Sequence, residues 1–265
     1  MIDPRAIIDP SAQIGSGVSI GPWSIIDADV EVGDYCVIDA HAIVRGPTRL
    51  GCRNRVYPFA SIGDATPARA YAGEATRLVV GDDNVFREGV TVHRGTVQDR
   101  GETTIGNRNL FMAYAHVAHD CVIGDHCTFA NNASASGHVT VGDWAILGGY
   151  AGVPQYRSIG AHAMVAGKSL VLKDVPAFVT VAGHPARVVS LNLEGLRRRG
   201  FASEALVNLR AAYRLLYRSG LRTVEALARI HDLPDPEGHL AILTRSVSES
   251  RQGIVRPRRG RDHDD

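Results

Sequence analysis

An apolar residue recurs at every sixth position from Ile8 through Ile14, Ile20, Ile26, Val32, Ile38, Val44, Leu50 and Val56 to Ile62. The residue after a rung is often Gly, as at 15, 21, 33, 51 and 63, or Asp, as at 9, 27 and 39. The ladder breaks over 64–79 and resumes at Val80, Phe86 and Val92. After a second break over about 94–104 it runs from Ile105 through Phe111, Val117, Ile123, Phe129, Ala135, Val141, Leu147, Val153, Ile159 and Val165 to Val171. Gly follows the rung again at 106, 124, 142, 148 and 160.

A period of six is a multiple of the strand period of two and does not match the helical 3.6. It suits a chain that runs straight briefly, bends beside a turn-friendly Gly or Asp, and repeats. Three such sides close one triangular coil of eighteen residues. Stacked coils bury their rungs in a narrow prism, with backbone hydrogen bonds between coils at about 4.8 Å. The rungs suffice for about eight coils, a prism roughly 40 Å tall. A β-sandwich would instead place turn signals about every 8–12 residues.

Near Val175 the pattern changes. DVPAFVTVAGHPARVV reads as a terminating loop and strand, and from Asn192 the apolar spacing becomes helical. Ser203 is expected to cap a helix carrying Leu206, Leu209, Tyr213 and Leu216, which Gly220 ends. Thr223 starts a shorter helix with Val224, Leu227 and Ile230 on its apolar stripe, and a third is expected over about 236–249. The expected organisation is a prism over 1–190, a helical C-terminal domain over 191–250, and a disordered polar tail over 251–265.

Lys+Arg at 29 against Asp+Glu at 28 gives a net charge of +1, which argues against a nucleic-acid partner. No apolar run approaches the roughly 20 residues of a membrane helix, and MIDPRAIIDP is no signal peptide. A soluble, cytoplasmic chain without stable membrane insertion is the expectation. Cys36, Cys52, Cys121 and Cys127 form no CxxC pair and are expected to be reduced, buried thiols.

A prism exposes three flat faces, and covering one by a symmetry mate makes a cyclic trimer the natural closed assembly. Sites then form in the groove between two prisms. His93, His116, His119 and His138 fall in the middle coils near the two breaks. His119 and His138 are one coil plus one residue apart, which allows them to face one groove about 5 Å apart along the axis. Such a cluster has three readings: a general base with helpers, a zinc site like that of hexapeptide-prism carbonic anhydrases, or plain polar lining. Gly137 beside His138 adds weight to the first, because glycine permits close backbone approach and its N–H can face an oxyanion.

The stretches YPFASIGD (57–64), YAGEATR (71–77), VTVHRGTVQ (90–98), AHVAHDC (115–121), FANNASASGHV (129–139) and EGLRRRGF (194–201) resemble one family. It is the acyl-carrier-protein-dependent UDP-N-acetylglucosamine 3-O-acyltransferases, which start lipid A synthesis. The resemblance covers nearly the whole chain. It implies a mainly β fold, a left-handed parallel β-helix of hexapeptide repeats with a helical C-terminal domain, assembled as a homotrimer. It implies no cofactor and no metal, an acyl carrier protein as donor and a nucleotide sugar as acceptor.

By the same resemblance His119 is the general base that takes the proton of the glucosamine 3-hydroxyl. Asp120 is its partner, although neighbours on a strand point to opposite faces. Gly137 would hold the thioester oxyanion through its N–H. His93, His116 and His138 would contact the sugar nucleotide or acyl chain, and Gln155, Asn192 and Glu194 the substrate. Arg198 and Arg199 would lie near the uridine diphosphate, and Gly167 would help set acyl length.

Two stretches depart from the family. Where it commonly reads Asn-Gln-Asp-Leu-Lys-Tyr, this chain has Thr66-Pro67-Ala68-Arg69-Ala70-Tyr71, with Arg69 as the candidate replacement for the lost cation. Where it reads His-Gln-Phe, this chain has Pro154-Gln155-Tyr156. Both fall on the acceptor side. They leave two alternatives, a paralogous acyltransferase with a different nucleotide-sugar acceptor and a non-catalytic trimeric scaffold. Arg197, Arg198, Arg199, Arg210, Arg214 and Arg218 offer a basic surface to an acidic carrier protein.

Overall fold

The computed structural model describes residues 1–69 and 71–257. Short strands wind into three parallel sheets that share one core. The first face runs from Ile7–Ile8 to Gly152–Val153 and the second from Gln13–Ile14 to Ser158–Ile159, each with eight strands. The third runs from Ser19–Ile20 to Met164–Val165 and is extended by Val179–Gly183 and the antiparallel Ala186–Leu191. Rungs pair with rungs one coil up, as in Val117↔Ala135 and Ile123↔Val141. Inside the prism Phe86, Phe111 and Phe129 stack with successive ring centroids 5.0 Å apart, close to the spacing of neighbouring strands.

The corners differ from the sequence expectation. The residue that turns the chain with positive φ is not the Gly or Asp after the rung but the residue three beyond it, as in Trp23, Asp120, His126, His138 and Trp144. The glycine after the rung answers a different constraint. A Cβ at Gly124 would meet Asp143 Oδ1 at 2.2 Å, and one at Gly21 the Ala40 nitrogen at 2.6 Å. Those glycines let adjacent coils approach.

Both breaks in the ladder are insertions at one corner. The chain leaves the first face at Asp64 and reaches the second only at Arg77; it leaves again at His93 and returns at Glu102. The two loops therefore emerge along the same edge of the prism, between the first and second faces.

Among the described residues four helices follow: α1 Leu193–Arg198, α2 Ser203–Tyr217, α3 Thr223–His231 and α4 His239–Ser248. Their buried faces, with Leu196, Leu209, Ile230 and Leu243, form a second core that joins Ala177 and Phe178 of the prism. Ser203 is the first helical residue rather than the cap; Ala202 occupies that position without a side-chain bond. Val224 is 79% exposed, and Ala226 and Ile230 make the buried face of α3 instead. The tail is ordered as far as the description reaches. Ile254 bridges Asp174, Val255 is buried, and Arg256 donates to the Leu216 carbonyl. Apolar Ile254 and Val255 within a polar stretch carry that docking. Residues 258–265 of the expected disordered tail, like Ala70, lie outside the described residues.

Candidate active site

The turn that closes the first–second edge brings His119 and Asp120 together. His119 Nδ1 lies 2.8 Å from Asp120 Oδ2. Alternation on a strand argued against this pairing, but Asp120 has φ +58°, so the two side chains leave a corner rather than a pleat. The Asp120 side chain is fully buried and that of His119 12% exposed. Thr96, on the second insertion, donates to both carboxylate oxygens, from its backbone N–H at 2.9 Å and its hydroxyl at 2.6 Å. Asp120 N–H in turn donates to Thr103 Oγ1. A carboxylate so satisfied holds the imidazole with its proton on Nδ1 and leaves Nε2 to accept one.

One coil above, at the same edge, Gly137 presses its backbone against the imidazole; a Cβ there would meet His119 Cε1 at 2.4 Å. The Gly137 N–H donates to no protein acceptor among the described residues. His138 packs its ring edge-on to His119, with centroids 4.9 Å apart, and stacks on Tyr156 at 4.3 Å. The spacing expected from one coil plus one residue is thus observed. On the adjoining first face, His93 and His116 lie 5.2 Å apart, and His116 Nδ1 bonds Thr91 Oγ1. Burial, with a smaller contribution from charge on His116, pushes His93 down to about 4, and burial likewise lowers His116. Both are neutral hydrogen-bonding groups near pH 7. Among the described residues His93 Nδ1 is buried without a partner, an atom left for a ligand.

The zinc reading can be weighed on the same atoms. His119, Asp120 and His138 each offer a ligand atom, all within 4.8 Å of one another. The Asp120 carboxylate and the two Nδ1 atoms are engaged in hydrogen bonds to Thr96, Asp99 and one another, while both Nε2 atoms carry none among the described residues. An Nδ1–carboxylate pairing of this kind suits an acid–base dyad with a companion imidazole, and it also orients an imidazole to bind a metal through Nε2.

Most of the remaining expected residues lie on other edges, while Gln155 and Arg69 share the dyad's edge. Arg199 donates to the Trp144 carbonyl at 2.9 Å and to His162 Nδ1 at 3.1 Å, and lies over the Trp144 ring. Trp144 and His162 turn the second–third edge. Burial pushes His162 down to about 4, leaving it neutral to accept that bond. Asn192 caps α1 by accepting from Gly195 N–H and ties it to the prism by donating to the His162 carbonyl. Glu194 and Arg198 pair with each other on the exposed side of α1. Gly167 sits on the third–first edge, where a Cβ would meet the Gly149 carbonyl at 3.2 Å. Gln155 is exposed beside Tyr156 on the dyad's edge, and Arg69 is exposed on the first insertion.

Sequence reasoning did not single out Thr96, Thr103 or Asp99, and named Tyr156 only within the departure Pro154-Gln155-Tyr156. The available signal was the second break itself, since a ladder interrupted next to the central histidines marks chain spent on something other than the prism. Arg94 on that loop donates to the Gly63 carbonyl and the Tyr71 hydroxyl, bracing the first insertion against the second.

Comparison with known proteins agrees with this architecture. The family model for the second domain of Udp N-acetylglucosamine O-acyltransferase matches residues 174–255, and that for the bacterial transferase hexapeptide matches 11–46 and 102–134. The acyl-[acyl-carrier-protein]–UDP-N-acetylglucosamine O-acyltransferase of Stutzerimonas stutzeri is 54% identical over 97% of this chain and 99% of its own length. That of Pseudomonas entomophila is 55% identical over 96% and 99%. Among solved structures, the UDP-N-acetylglucosamine O-acyltransferase of Moraxella catarrhalis matches with TM-score 0.93 and 44% identity, covering 96% of this chain and 99% of that one. The enzyme of Francisella novicida gives 0.95 and 35%, over 98% and 95%. The prism is accordingly the left-handed β-helix that the resemblance implies.

Proposed function

The chain belongs to the UDP-N-acetylglucosamine O-acyltransferase family, and from that premise we propose how its own residues carry out the reaction. The protein transfers an acyl group from acyl carrier protein to UDP-N-acetylglucosamine, the step that opens lipid A synthesis. His119 Nε2 takes the proton of the sugar 3-hydroxyl as that oxygen attacks the thioester carbonyl. Asp120 holds the ring and stabilises the imidazolium that forms. The Gly137 N–H receives the developing oxyanion, a contribution worth about 10²–10³ in rate in comparable sites. The tetrahedral intermediate collapses with loss of the carrier's thiolate, which recovers a proton from His119.

The observation that carries this reading is the pairing of His119 with a fully buried, threonine-held Asp120 while its ring lies against the Gly137 backbone. Neutral His93 and His116 line the acceptor side, and Arg198 reaches for the diphosphate. The catalytic pair, the α1 residues and Gly167 occupy three different edges of one prism. A single extended substrate meets all of them only if neighbouring protomers contribute edges, so the working unit is a cyclic homotrimer. The cytoplasm, where carrier protein and nucleotide sugars are made, is its place of action.

Mass spectrometry of products from a panel of acyl carrier thioesters and nucleotide sugars tests the assignment. A 3-O-acylated UDP-N-acetylglucosamine is expected. Product only from another nucleotide sugar would favour a paralogue with a different acceptor, the reading that Pro67, Ala68 and Pro154 keep in view.

A further inference from the structure

His138 has a carboxylate of its own. Its Nδ1 lies 2.6 Å from Asp99 Oδ2 and 3.9 Å from Asp120 Oδ2, the oxygen that His119 already holds at 2.8 Å. Two imidazoles therefore stand within reach of one buried carboxylate oxygen, and a second carboxylate draws one of them away. The backbone fixes where that second carboxylate sits. Asp99 N–H and Gly101 N–H both donate to the Thr96 carbonyl, curling the insertion into a tight loop. Thr96 itself is pinned to Asp120 by its two bonds.

Resting on the acyl-transfer reading above, we propose that Asp99 is a positioning residue that keeps His138 off Asp120, and so preserves the His119–Asp120 pair. A carboxylate only accepts, so Asp99 fixes the His138 proton on Nδ1 and leaves Nε2 facing the site. Tyr156 on one ring face and His119 at the ring edge restrict the remaining rotation. Without Asp99, the next acceptor for the His138 Nδ1–H is Asp120 Oδ2. Sharing that oxygen weakens the hold on His119, the base. The insertion thus carries two complementary devices: Thr96 holds Asp120 in place, and Asp99 draws away the competitor for its oxygen.

The test is Asp99→Ala, with Asp99→Glu as the conservative rescue. In the variant, kcat is expected to fall about tenfold to a hundredfold, the range for loss of one charge-assisted bond. KM for both substrates should stay within about threefold, and the melting temperature should hold, since Asp99 lies on an exposed loop. Glutamate should restore most of the rate. Nitrogen-15 spectra of the histidine rings, taken without substrate, supply the second readout. His138 should show the Nδ1-protonated form in the parent protein, and both His138 and His119 signals should move in Asp99→Ala. Unchanged kcat, or a fall in kcat with both ring signals unmoved, overturns the proposal. Absence of transfer by the parent protein would instead count against the acyl-transfer reading, while the ring spectra would still decide the role of Asp99.

Discussion

A methyl group added at Gly137 would sit 2.4 Å from His119 Cε1 and 2.6 Å from Nε2, so Gly137→Ala must push the imidazole aside. A displacement of about 1 Å at a reacting group costs on the order of a hundredfold in rate. Gly137→Ala is therefore expected to lose about that factor in kcat while melting like the parent, because the clash is with one side chain tip. Loss of the fold, or full activity, would show that the ring has room the geometry denies it. Titration at single residues also shapes stability. His93 and His162 are each held near 4 by burial, against 6.5 for free histidine. Below pH 6.5 the unfolded chain takes up protons that the folded chain refuses. Their contribution to stability is complete above pH 6.5 and is lost as pH falls towards 4. Thermal melts across that window should show the decline, and a His93→Asn, His162→Asn double variant should flatten it.

Among elements, the rungs were the most legible. Every rung from Ile20 to Val165 that the periodicity picked out is buried in one continuous core, because an inward-facing position tolerates few residue types. The ring spacing of His119 and His138 followed from the same arithmetic. What the ladder could not disclose was anything set by the corner torsion, since nineteen non-glycine residues of very different kinds among those described adopt positive φ there. The Asp120 pairing depends on that torsion, and the partners Thr96 and Asp99 lie on an insertion with no period to read. The helical elements were legible as apolar stripes but not in their attachments, which are polar and long-range. Asn192 is one such attachment, both capping α1 and bonding the His162 carbonyl. Asn192→Ala should cost about 0.5–2 kcal/mol, the usual range for a lost cap. Chemical denaturation would measure it, and an unchanged midpoint would mean that α1 is held by its apolar face alone.

At the scale of the whole molecule, geometry divides the expected site among three edges of the prism. His119, Gly137 and His138 turn the first–second edge, Arg199 packs against the second–third edge, and Gly167 belongs to the third–first edge. In a trimer, an edge of one protomer can meet a different edge of its neighbour. Co-expressed His119→Ala and Arg198→Ala chains should then regain activity above that of either variant alone, since some mixed interfaces carry both intact residues. No recovery would confine the site to a single chain. Everything else depends on one imidazole. The rate of acyl transfer from acyl carrier protein to UDP-N-acetylglucosamine by His119→Ala, measured on protein that melts and assembles like the parent, is the direct measurement. A fall of about 10²–10⁴-fold is expected for loss of a general base, and a well-folded variant that retains the parent's rate would contradict the account.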